Sequence, residues 1–171
     1  MSTMQLLDRI EKRRFVGREF LMWLWFESEV FSATLSTATH GEFGLWVESA
    51  LVLSAGREAT RIRGSQPASA REAKESVLRG KLPESAGMHL SWGDREISFT
   101  LKAETLAVGR LSGCADRAEF EGLLEALYSD FLQLRLGEAW AETVLPAINA
   151  WIVGGNVDAD GYSIAREEAL S

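Results

Sequence analysis

The side chains best suited to proton, thiol or metal chemistry are few and scattered. His40 and His89 are 49 residues apart. His89 lies on the polar phase of the alternating stretch Met88–Trp92, and no neighbour in sequence would orient it as a general base, so it reads as a solvated strand histidine. Cys114, the single cysteine, sits in Ser112-Gly113-Cys114-Ala115 with no CxxC partner or adjacent histidine to activate the thiol. Glu27 and Glu29 are two positions apart, so on a helix they diverge instead of forming an acid pair and read as capping or solvated groups. One spacing does match a metal site. Asn156, Asp158, Asp160 and Glu167 occupy positions 1, 3, 5 and 12 of a calcium loop, with Gly161 at position 6. Against it, Ser163 stands where an apolar residue is usual, and four residues after Glu167 are too few for an exit helix. A polar C-terminal tail is the reading we adopt. The sequence holds no Gly-x-Ser-x-Gly, Gly-x-Gly-x-x-Gly, phosphate loop or His-Glu-x-x-His. No enzymatic activity, cofactor or resident metal is expected.

These residues need elements to position them, and composition bounds what those elements build. With 171 residues, 46% hydrophobic and 25% charged, the chain suits one folded domain. The lone cysteine fits a reducing compartment, and the first 15 residues lack the apolar core of a secretory signal, so a cytoplasmic protein is expected. The apolar run Phe20–Phe26 is far too short to span a membrane, so no membrane partner is expected either. Net charge is −7 but unevenly spread. Residues 57–81 hold seven bases against three acids, whereas residues 116–171 hold eleven acids against three bases. An anionic partner would therefore meet the first segment and be repelled by the second. Arg57, Arg61 and Arg63 alternate on one strand face, and Arg71, Lys74 and Lys81 extend that face if the following helix continues it. Such one-sided clustering suits phosphate tracking; the alternative is a solvated surface paired with Glu58, Glu72 and Glu75.

Periodicity supplies the frame. Met4, Leu7 and Ile10 suggest a short amphipathic helix that Gly17 interrupts. The run Phe20-Leu21-Met22-Trp23-Leu24-Trp25-Phe26 has charged flanks and no β-branching, which favours a helix over residues 17–31. It is apolar nearly all round and must be covered on more than one side. Phe20, Trp23, Trp25 and the later Trp151 are accordingly either core or the interface for a protein partner or a second copy. Phe43, Leu45, Val47 and Leu51–Leu53 read as strand, turning at Ala55-Gly56 into Ala59–Arg63. A helix from Pro67 through Arg79 ends at Gly80, with Pro83 preventing its continuation. Met88–Trp92 and Ile97–Leu101 form a hairpin across Gly93-Asp94, in which glycine permits a type II′ turn; Leu106 and Val108 add a strand. Asp116 with Glu119 reads as a capping box before the stripe Phe120, Leu123, Leu124, Leu127, Phe131 and Leu134. A last helix follows Gly137, kinked at Pro146, and Gly154-Gly155 closes the ordered pattern. The expected fold is α+β: one domain, residues 1–153, whose antiparallel sheet packs on the Trp-rich helix and the C-terminal helices, followed by a polar tail over 154–171.

The order of several of these segments resembles a known family. The stretch GREFLMWLWFESE, the later REAKESVLRGK, then MHLSWGDREISFTL and a C-terminal helix ending in AWI are similar to the C-terminal half of short RdgC-like, recombination-associated proteins, across residues 13–153. The N-terminal half of that family pattern is not found in these residues. The resemblance implies a non-enzymatic, DNA-associated protein of the bacterial nucleoid that coats double-stranded DNA and restrains recombinase loading. A protein–protein interaction module within a larger bacterial assembly is the second function compatible with the sequence.

Overall fold

The structure, a computed structural model, describes residues 3–64 and 71–171, with side chains from Val16 onward. Its longest helix, α1, spans Thr3–Val30 and passes straight through Gly17. Gly17 is no break; it is the point of closest approach between α1 and the end of the sheet. A Cβ there would fall inside the Ala103 backbone carbonyl. The early amphipathic repeat lies on the same helix, but its side chains fall outside the described residues, as does the expected helix start at Pro67.

The tryptophan run follows from that helix. All seven residues Phe20–Phe26 are 5% exposed or less, because α1 is enclosed on two sides. One side meets the sheet. The other meets the C-terminal helices: Phe20 and Trp23 pack on Phe131 at 5.4 and 5.8 Å, and Trp25 meets Trp151 edge-on at 4.7 Å. Each side chain so buried contributes on the order of 2 kcal/mol, making α1 the main apolar filling of the molecule.

The sheet has six antiparallel strands: β1 (Thr34–Thr37), β2 (Gly41–Ala55), β3 (Glu58–Arg63), β4 (Leu82–Trp92), β5 (Arg95–Lys102) and β6 (Val108–Ser112). Their order is β1-β2-β4-β5-β6, and β3 also pairs with β2. β2 is long enough for β1 to pair at its start and β3 at its end. Gly56 and Gly93 turn the two hairpins with φ of +60° and +64°. Alternation then divides the sheet. Phe43, Leu45, Val47, Leu51, Leu53, Ile62, Met88, Leu90, Ile97, Phe99 and Leu101 face the helices. Between Val47 and Leu51 β2 takes four residues against two on β4, an irregularity that leaves both on that side. Gly87 accommodates the irregularity, since a Cβ there would run into Ser49 Oγ. The opposite phase carries Trp46, Glu48, Val52, Ser85, His89, Ser91, Glu96, Ser98 and Thr100, none of which joins the core cluster. Among the described residues no helix buries its apolar side against that face.

The remaining helices are α2 (Arg71–Leu78), α3 (Arg117–Leu136), α4 (Leu145–Ile152) and α5 (Ala159–Leu170). Asp116 caps α3 by accepting from the Glu119 N–H at 3.1 Å, but the Glu119 carboxylate turns away to Arg95 at 2.7 Å, so the reciprocal half of the capping box is absent. Pro83 stops nothing; it is the second residue of β4 and pairs with Leu53. Pro146, which has no N–H, is accommodated by a π-helical turn over Trp140–Val144, closed by the Leu145 N–H on the Trp140 carbonyl. The supposed tail is also corrected: α5 is a capped helix, with Asp158 Oδ1 accepting from the Gly161 N–H at 3.0 Å. Tyr162, 2% exposed, inserts it into the core.

The Gly17 contact makes a prediction with an unusual sign. Alanine at an exposed helical glycine gains about 1 kcal/mol. Here Gly17→Ala should instead cost about 3 kcal/mol through backbone overlap. That lowers the melting temperature by about 6–12 °C in a chain of this size. A raised or unchanged melting temperature would refute the close crossing.

Candidate functional site

The uncovered sheet face has two chemically different ends, each assembled by strand register. At one end a cross-strand row runs Arg61, Val52, Ser85, Lys102 through β3, β2, β4 and β5. Arg63 lies two residues beyond Arg61 on the same phase, opposite Ala50, and Arg57 projects from the adjoining turn. All four basic side chains are exposed, and none has a side-chain partner among the described residues. Neighbouring strands lie about 4.8 Å apart, so Arg61 and Lys102 are separated by about 14 Å across the sheet. Between them stand only Val52 and Ser85, leaving the strip shallow. Alternation also keeps Glu58 off it, since Glu58 shares the phase of Ile62.

The other predicted cations go elsewhere. Arg71 pairs with Glu75 at 3.0 Å on α2. Lys74 Nζ lies 4.8 Å over the Trp151 ring, and Lys81 Nζ donates to Thr60 Oγ1 at 2.7 Å. Thr60 shares the helix-facing phase with Ile62, so these three lie around the helical side. One continuous basic face through 57–81 is therefore not formed; the structure splits the six residues into two groups of three. Lys102 takes the place expected of the helix. Sequence spacing missed it because only the β4–β5 register brings it into the row.

The far end of the same face holds His89. Its ring stacks on Trp46 at 4.6 Å with planes 25° apart. Nδ1 lies 3.2 Å from Glu48 Oε2 and 3.1 Å from Ser98 Oγ, while Nε2 contacts Glu96 Oε2. Ser91 Oγ donates to the other Glu96 oxygen at 2.8 Å. The solvated-histidine reading is thus corrected: the side chain is only 16% exposed, because neighbours on β2 and β5 enclose it. The hydrogen bond from His89, and then that from Ser91, hold the Glu96 carboxyl below the usual glutamate range. The two carboxylates contact opposite ring nitrogens and do not converge. Among the described residues no group of three His, Cys, Asp or Glu side chains is placed to hold a metal ion. Nor does the calcium loop form: Asp160 and Glu167 lie along α5, about 10 Å apart in helical rise, instead of curling around a cation. His40 contacts Thr37, Thr39 and the edge of Trp92. Cys114 is half-buried beside a cavity of about 80 Å³ with Trp92 and Arg95.

Inside the molecule the interface candidates are core. Phe20, Trp23, Trp25 and Trp151 are 2, 0, 1 and 7% exposed, so a partner cannot reach them without unfolding the chain. Glu27, expected to be solvated or capping, is 1% exposed. It accepts from Tyr162 Oη at 2.8 Å and lies 2.9 Å from Arg166 Nε, while Trp23 Nε1 donates to Tyr162 Oη at 3.0 Å. Burial pushes the Glu27 carboxyl above the glutamate range, with Arg166 and then Tyr162 opposing it. Burial, and then the Glu27 charge, push the Tyr162 phenol far upward. This network joins α5 to α1. A groove of about 580 Å³ remains on the helical side, lined by Met22, Val77, Leu78, Trp140, Leu145 and Val153; Leu78, Leu145 and Val153 are 60, 41 and 67% exposed.

No family model and no curated protein matches this chain, and no helix among the described residues is long and apolar enough to cross a membrane.

The buried network sets a pH dependence. A raised folded-state value means Glu27 contributes stability in full below the ordinary glutamate range, and loses it as pH rises through the raised value. Glu27→Gln should remove that decline from a series of urea midpoints taken between pH 4 and 8; curves that stay parallel would contradict the assignment. Tyr162→Phe should cost about 1–3 kcal/mol at neutral pH, since Trp23 Nε1 and Glu27 both lose a buried partner.

Proposed function

We propose that this chain is a non-enzymatic, DNA-associated binding module whose phosphate-contacting surface is the basic end of the open sheet face. One observation carries the reading. Arg57, Arg61, Arg63 and Lys102 are exposed, free of side-chain partners among the described residues, and gathered at one end of an uncovered sheet. Unpaired guanidinium groups hold no competing carboxylate that DNA must displace, and they bind phosphate bidentately. The acids concentrated in residues 116–171 lie on α3, the π turn and α5 and in the connections beside them, away from this strip, so the negative net charge and a local anion-binding surface are compatible. Contacts confined to the backbone carry no base information, so binding should be indifferent to sequence. The link to recombination or to the nucleoid rests on the RdgC-like resemblance alone.

A second reading, a protein–protein interaction module, is favoured by the apolar groove at Leu78, Leu145 and Val153, not by the buried tryptophans. It expects those side chains to matter and the arginines to be neutral.

Electrophoretic shift of duplex DNA separates the two. With about four phosphates contacted, log affinity should fall against log salt with a slope of about −3 to −4. Arg61→Glu with Arg63→Glu should abolish the shift while leaving the unfolding free energy within about 1 kcal/mol of wild type, as expected for exposed side chains without partners among the described residues. Absence of binding at low salt, or binding that survives the double reversal, would overturn the proposal.

A further inference from the structure

The acidic end of the open face contains a hydrogen-bonding problem that only one protonation state solves. A neutral imidazole has one donor nitrogen and one acceptor, and a carboxylate only accepts. His89 nevertheless faces carboxylate oxygens with both nitrogens, Glu48 at Nδ1 and Glu96 at Nε2. The neutral ring satisfies one of them: with the proton on Nε2 it donates to Glu96 and accepts from Ser98 Oγ, leaving Glu48 opposite a lone pair. The imidazolium donates to both. Its stacking on Trp46 also suits the cationic ring.

The groups facing His89 come from the two flanking strands. β2 presents Glu48 and, further along, Glu42; β5 presents Glu96 and, toward the basic end, Lys102; Ser98 and Ser112 complete the row and are neutral. Beyond β2, Arg63 on β3 pairs with Ala50, two residues along from Glu48, and Arg61 lies two residues further toward the basic end. With His89 protonated, the Glu48–His89–Glu96 cluster carries one net negative charge; with His89 neutral, it carries two. Among side chains, histidine alone ordinarily changes charge between pH 5 and 8, and the chain has only His40 and His89.

We infer that His89 is a proton-operated regulator of DNA binding on the open face, its protonation removing one of the negative charges that a duplex laid across the sheet would meet. The inference rests on the proposed DNA surface. It acts through the electrostatic field across the open face and needs no contact between His89 and DNA. Because His89 lies four residues, about 13 Å, from the Arg61 row along β4, salt screens its effect on phosphates held at that row, and the coupling is strongest at low ionic strength.

The test measures duplex affinity in 10 mM salt at pH 5.5 and pH 8.0 for the wild type, His89→Gln and His40→Gln. Wild type and His40→Gln should bind about fivefold more tightly at pH 5.5, the scale of one charge acting through water on a few phosphates about 10 Å away. His89→Gln should show the pH 8.0 affinity of the wild type at both values. Equal wild-type affinity at the two pH values, or a pH effect that persists in His89→Gln, overturns the inference while leaving the DNA reading intact. No binding at either pH overturns both.

Discussion

The rest of the structure depends on the enclosure of α1. A helix that is apolar on every side has no stable place on a two-layer surface; it needs the sheet beneath and helices above. Trp23, Trp25 and Phe26 meet that need by packing on Phe131, Trp151 and Tyr162. The consequence for function is topological. With the C-terminal helices drawn over α1, the described helices are committed to one side of the sheet, and the other is left to β-strand side chains alone. The exposed face is thus the complement of the buried one.

On that face, strand alternation does the electrostatic sorting. The bases at positions 61 and 63 and the acid at 58 are close in the folded chain, yet the period of two sends them to opposite sides. Register then adds Lys102 from two strands beyond β2 to the same row. At the other end, the same rule brings Glu48 and Glu96 to the two sides of His89. A chain with net charge −7 can in this way hold a local cationic strip without any basic run in its sequence.

Much of the frame was legible from the residues. The α+β class, the Trp-rich helix, both hairpins and the Asp116 cap followed from period, glycine position and capping chemistry. What was not legible came from long-range packing. Gly17 carries a helix-weakening residue inside a helix because of Ala103, 86 positions away. α5 was missed because Tyr162 is its only fully buried residue, so it shows no apolar stripe. Glu27 looked solvated because its partners, Tyr162 and Arg166, lie 135 and 139 residues later. The proposed site was less legible than the fold: alternation placed Arg61 and Arg63 on one strand face, but Arg57, read onto the same face, lies in the turn before β3, Arg71, Lys74 and Lys81 lie around the helical side, and the His89 cluster required knowing which strands are neighbours.

The central claim is that the basic end of the open sheet face, and not the helical side, receives the partner. Backbone amide resonances recorded while a short duplex is titrated into the full chain test it most directly. The account predicts shifts confined to the Ala55–Arg63 hairpin arm and to β4 and β5 around Ser85 and Lys102, with α1, α4 and α5 unmoved. Shifts centred on Leu78, Leu145 and Val153, with the hairpin silent, would contradict it.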